Sequence, residues 1–159
     1  MKVNITDVKI GHGLGDIQFG STKERLKYLI GEPDEIDTYN ASGEDDGYLT
    51  ESWHYDEHEF SVSFDEEDNW KLTTISISSP DCLYNSNQLI GKPMDEVLQL
   101  IDTEELGENE LDDLSDNKID QKLISFIRAS LNLWFENGVL SEIQWGVLWS
   151  DEDTPSWPD

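Results

Sequence analysis

Cysteine occurs once, at Cys82, and only ten of the 159 residues are Lys or Arg. A lone thiol cannot close an internal disulfide, which suits a reducing compartment, and Cys82 reads as a small packed residue rather than a nucleophile. No apolar run approaches the ~20 residues of a membrane-spanning helix. The opening segment MKVNITDVKIGHGLGDIQFG lacks the apolar stretch of a signal peptide and has no cysteine for a lipid anchor. A cytoplasmic location without a membrane partner is therefore expected. The shortage of bases is set against 36 acids, giving a net charge of −26. Such a field repels nucleic acid and anionic lipid but attracts cations and basic protein surfaces, which makes a basic protein the expected partner.

Catalytic signatures are equally scarce. Gly11, Gly13 and Gly15 lack the strand, helix and ribose-binding acid of a dinucleotide fingerprint, and no Gly-Lys-Ser/Thr follows, so they read as a flexible loop. No Gly-x-Ser-x-Gly elbow occurs, and His12 has no companion. His54-Tyr55-Asp56-Glu57-His58 matches the H-x-x-E-H pattern of a zinc peptidase, but that chemistry needs a helix to bring both histidines to one ion. In a strand they stand ~13 Å apart, at ~3.3 Å per residue. Asp65 to Asn69 offers calcium an acidic turn, yet Trp70 stands where an EF-hand needs glycine and Ser76 where it needs a bidentate Glu. No carboxylate pair is singled out by spacing. The chain is expected to be neither an enzyme nor a holder of metal or cofactor.

What is present is aromatic. Six Trp, five Tyr and five Phe within a 36% apolar content argue for a packed core despite the charge, at a length suited to one domain. Trp53 to Ser79 predicts three antiparallel strands joined by two acidic turns, with Phe60, Val62 and Phe64 alternating with Ser61 and Ser63. Upstream, Val3 to Ile10 predicts a strand or arm. Ser21 and Glu24 form a capping box ahead of a helix carrying Leu26, Leu29 and Ile30, stopped by Gly31 and Pro33. Residues 32–50 read as a loop with an acidic tip at Glu44, Asp45 and Asp46. Downstream, a second helix carries Val97, Leu98, Leu100 and Ile101, and an acidic stretch with room for a short helical turn spans 102–121. Leu123 to Ser130 predicts a strand, Asn137-Gly138 a hairpin turn, and Ile143 to Trp149 a last strand with Trp145 and Trp149 on one face. Those two indoles suit either core packing or a binding surface. Residues 150–159 read as a loose acidic tail.

The halves repeat in kind: Phe19 to Leu26 parallels Ile90 to Val97, and Phe60 to Ile75 parallels Leu131 to Ile143. The expected fold is α+β, one domain of two tandem helix-plus-antiparallel-meander units, about 11–79 and 87–149, with the helices packed on one face of the sheet or sheets.

Phe19-Gly20-Ser21-Thr22-Lys23-Glu24, Leu29-Ile30-Gly31-Glu32-Pro33, Trp53-His54-Tyr55, Val62-Ser63-Phe64-Asp65, and Leu72 with Ile75 together resemble a known repeat. It is the one shared by the SmpA/OmlA small lipoproteins and the beta-lactamase inhibitor protein family. The likeness covers roughly residues 17–78 closely and the second half loosely. It implies a helix-plus-meander fold and a function of binding another protein without catalysis. Lacking a leader or lipid-anchor cysteine, the chain is closer in type to a cytoplasmic immunity protein of a bacterial toxin system. The expected activity is stoichiometric inhibition of a basic toxin or effector by occlusion of its active site. An acidic scaffold or regulator is the alternative, and a metal-dependent enzyme ranks third. The partner-contact candidates are Glu44, Asp45, Asp46, Asp56, Glu57, Glu66, Glu67, Asp68, Trp145, Trp149, Asp151 and Glu152.

Overall fold

Strands dominate the described residues, 45% of them against 17% helix. The computed structural model describes residues 3–40, 47–151 and 154–158. The centre of the molecule is an eight-stranded antiparallel sheet. Its strands are β4 (Glu35–Asn40), β5 (Leu49–Tyr55), β6 (Phe60–Asp65), β7 (Lys71–Ile77), β9 (Asn109–Asp113), β10 (Gln121–Phe126), β11 (Leu131–Glu136) and β12 (Val139–Gly146). They lie in the order β4-β5-β6-β7-β12-β11-β10-β9, so that two meanders meet where β7 pairs with β12. A small second sheet is built from β1 (Asp7–Lys9), β2 (Gly13–Leu14), β3 (Ile17–Gln18) and β8 (Leu83–Tyr84). A two-stranded third sheet pairs β13 (Leu148–Trp149) with β14 (Pro155–Ser156).

The helices are short: α1 (Lys23–Ile30), α2 (Met94–Leu100) and α3 (Thr103–Leu106), of eight, seven and four residues. This corrects the α+β expectation of two helix-plus-meander units. The molecule is mostly β, because segments that read as loop or acidic spacer are strands. β4 and β9 lack apolar alternation and lie exposed at the two edges of the sheet, where they are strands by virtue of the neighbours they pair with. The glycine-rich stretch likewise contributes β2. A side chain at Gly13 would meet the Ile17 carbonyl oxygen at 2.0 Å, so only glycine admits the β2–β3 pairing. The described part of the tail is anchored rather than loose. β14 pairs with β13, and Trp157 packs on Gly20 with the Lys71 ammonium 5.1 Å from its ring.

One face of the large sheet carries the core. Trp53, Tyr55, Phe60, Val62, Phe64, Leu72, Ile75 and Ile77 from one meander join Ile124, Phe126, Leu131, Leu133, Phe135, Leu140, Ile143 and Trp145 from the other. Leu26 of α1, Val97 of α2 and Leu14 and Ile17 of the small sheet cover them. Strict alternation would put Leu72 and Ile75 on opposite faces. A bulge corrects this: Phe64 pairs with Leu72 and Ser63 with Thr74, leaving Thr73 as the extra residue. The second meander repeats the device at Ser141, between the pairs Phe135–Leu140 and Trp134–Glu142.

α1 begins one residue later than the capping box predicts. Thr22, not Ser21, accepts the Arg25 N–H, while the Ser21 hydroxyl donates to Gln18 O. The helix ends at Gly31, whose carbonyl accepts from the Tyr55 hydroxyl at 3.0 Å. Gly20 N–H donates to Leu72 O and Leu72 N–H to Ser21 O. The same pair of bonds links Gly91 and Lys92 to Leu140.

Candidate functional site

Among the described residues, no helix covers the opposite face of the large sheet. Its registers align one polar row across all eight strands: Glu35, His54, Ser61, Ser76, Gln144, Asn132, Ser125 and Glu110. Alternation explains it, since these positions stand between those that supply the core. Hydroxyls on this face satisfy one another, with Ser52 Oγ 2.9 Å from Ser63 Oγ and 3.3 Å from the Tyr39 hydroxyl.

The acidic turns lie at opposite ends of β6. Asp56 and Glu57 belong to the 3-10 turn Asp56–His58 and are exposed. Glu66, Glu67 and Asp68 form the 3-10 turn Glu66–Asp68, six strand residues away, or ~20 Å at ~3.3 Å per residue. The candidates therefore do not make a single patch. His54 sits in β5, bridging Ser61 Oγ at 2.7 Å and Asp37 Oδ2 at 2.9 Å, whereas His58 lies in the turn with its ring 6.0 Å from that of Phe60. The zinc-peptidase pattern thus spans a strand end and a turn rather than a helix. Among the described residues, no three His, Cys, Asp or Glu side chains group as a metal site.

The end bearing Glu66–Asp68 gathers the most. Asp65 there accepts 2.6 Å hydrogen bonds from the Thr50 and Thr73 hydroxyls, one on each carboxylate oxygen. Glu66 accepts from the Leu49 N–H. The turn closes through left-handed backbone at Asn69 and Trp70 (φ 58° and 59°), with Trp70 N–H on Asp65 O. A left-handed Trp is costly by order 1–3 kcal/mol, and the Lys23 ammonium over its ring at 4.1 Å helps to hold it. Burial raises the Asp68 carboxyl above its ordinary value, and Asp65 and Glu67 push it the same way.

Trp145 and Trp149 separate. The core face continues through Ile143, Trp145 and Val147; then β12 has ended and the chain turns off, with Val147 N–H on Thr73 O. Trp145 is 1% exposed and its indole N–H donates to Gly13 O at 3.1 Å, so it is a core residue and drops out as a partner contact. Trp149 is 48% exposed. It borders a groove of about 290 Å³ that runs over Gly146, with Asp65, Thr73, Ser125 and Asn132 also on its walls. Asp151 is exposed just beyond Trp149. Glu44, Asp45, Asp46 and Glu152 lie outside the described residues.

Two acids outside the candidate set stand out. Glu142 lies on the open face beside Ser76 and Ser78, half-buried, in a pocket of about 270 Å³, and desolvation raises its carboxyl. Glu51 lies on the covered face. Burial pushes its carboxyl upward, but the Trp53 indole N–H at 2.7 Å, Lys23 at 3.0 Å and the Lys27 charge outweigh that and lower it.

Comparison with protein-family models, with curated proteins and with solved structures returns no match. Among the described residues no helix is long and apolar enough to cross a membrane.

Proposed function

We propose that the chain is an acidic, stoichiometric binding protein that neutralises a basic toxin or effector, as an immunity protein does, by covering the site its target uses for an anion. One observation carries this reading. At one end of the sheet an acidic turn, an exposed indole and a groove meet, on a molecule of net charge −26. The roles divide by physics. Glu66, Glu67 and Asp68 supply the field that steers a cationic surface inward, while Trp149 and the groove supply an anchor that water leaves on docking. Asp65 is held by two hydroxyls and shapes the turn rather than meeting the partner first.

The test is co-purification with a basic toxin domain encoded beside this chain. A 1:1 complex is expected, with association slowed several-fold by the triple change E66Q/E67Q/D68N and by added salt. Trp149→Ala is expected to speed dissociation by at least about tenfold, the factor that ~1.4 kcal/mol represents. Absence of a complex at low salt would remove the reading. An acidic scaffold remains the alternative, separated by a partner whose anion-binding site stays active in the complex.

A further inference from the structure

We propose that the cavity between β1, β8, α3 and the β10–β11 turn is a binding site for a small organic anion, a carboxylate or phosphate monoester carried on an apolar body. The chain carries ten Lys and Arg against 36 acids. Lys23, Lys27 and Lys122 each lie within 4 Å of a carboxylate. Arg25 and Lys71 lie over the Tyr28 and Trp157 rings, while Lys9, Lys92, Lys118 and Arg128 have no carboxylate within 4 Å among the described residues; of these, the exposed Lys9 and Arg128 line one cavity, together with His12. Two positive side chains converging on one hollow with an apolar floor suit a ligand that brings negative charge on an apolar body.

The backbone and stems that carry these side chains are placed by the fold. His12 N–H donates to Lys9 O at 3.0 Å and His12 O accepts from Phe19 N–H at 2.8 Å, which fixes the turn after β1. The Arg128 stem lies against Gly107 at the end of α3, where an added Cβ would come 3.3 Å from Arg128 Cδ. The floor is apolar, formed by the buried Val8, Leu106 and Ala129 with Leu148. A volume of about 490 Å³ falls inside the ~300–1,000 Å³ of small-molecule sites. Glu105 stands on the same lining. Burial, helped by Glu105 and Asp102, raises the Tyr84 phenol beside it, which keeps that wall a hydrogen-bonding one. The cavity's lining shares no residue with the groove bordered by Trp149, although Arg128, Ala129 and Leu148 adjoin that groove's Ile127, Ser130 and Trp149 in the chain.

Benzoate and phenyl phosphate, titrated separately into the full chain and followed by amide NMR shifts, test the assignment. Saturable shifts are expected at Lys9, His12, Arg128 and Leu148 with at least one of the two, and the responding probe distinguishes carboxylate from phosphate. Arg128→Gln or Lys9→Gln should weaken binding at least about tenfold. Leu148→Trp, which fills the hollow without touching its charge, should abolish it. Benzyl alcohol should give no shifts. Two variants guard against a folding defect in either, with amide dispersion as the check. Silence with both anions, shifts elsewhere, affinity unchanged in both charge variants, or inorganic phosphate binding as tightly as phenyl phosphate would each overturn the proposal.

Discussion

Four residues apart on one run of sequence, Trp145 and Trp149 end in different solvents. Trp145 lies in the core with its indole N–H on Gly13 O, and Trp149 stands half in water beside the groove. Truncating the first leaves a large cavity and removes the indole hydrogen bond to Gly13 O. Trp145→Ala should therefore cost about 3–5 kcal/mol in urea unfolding, and Trp149→Ala within about 1 kcal/mol. Comparable losses would place both indoles in the core. Glu51 supplies a residue-scale test with a pH signature. Its carboxyl is lowered in the fold, so the native state binds its proton less readily than the unfolded chain. The stability it contributes is present above the ordinary carboxylate range and is lost as pH falls through its lowered value. Glu51→Gln should cost about 1–2 kcal/mol at neutral pH, and the gap to the parent should close as pH falls below the ordinary carboxylate range.

At the scale of elements, the turns test how backbone conformation is paid for. Asn137 and Gly138 link β11 to β12 with φ 55° and 86°, and a Cβ at Gly138 would meet nothing within 4 Å. Gly138→Ala should thus cost only the left-handed penalty, about 1–2 kcal/mol. Gly13→Ala should cost more, because its Cβ would collide with Ile17 O; the order of the two thermal midpoints checks this. These elements also mark what was legible. Alternation in Phe60, Val62 and Phe64 announced β6, Asn137-Gly138 announced its hairpin, and Leu26 with Ile30 announced α1 to within one residue of its cap. Edge strands β4 and β9 were illegible because neither face of an exposed edge is apolar enough to alternate. The bulges at Thr73 and Ser141 were hidden because one inserted residue is a property of pairing, not of local composition. For the candidate site, the acidic turn was visible as a run of like charge. The groove and the cationic cavity were not, since their linings come from segments far apart in the chain.

At the scale of the whole molecule, charge sets the balance. The described residues hold three Lys–carboxylate pairs and the His54–Asp37 contact, far too few to compensate −26. Like charges brought together by folding repel, and dissolved salt shortens the reach of that repulsion to ~3 Å at 1 M from ~30 Å at 0.01 M. Adding NaCl at fixed pH should therefore raise the thermal midpoint. Acid works on the same excess. Asp68 and Glu142 have carboxyls raised in the fold, mainly by desolvation, so the native state takes up their protons before the unfolded chain does. Stability should rise as pH falls from neutrality through the range where the raised carboxyls take up protons, then decline as Glu51 and its like are protonated. High salt should flatten the first rise, because screening and protonation relieve the same repulsion. Thermal melts on a grid of pH and NaCl decide it: a midpoint that falls with salt at pH 7 would mean that the few ion pairs outweigh the repulsion among the many unpaired acids.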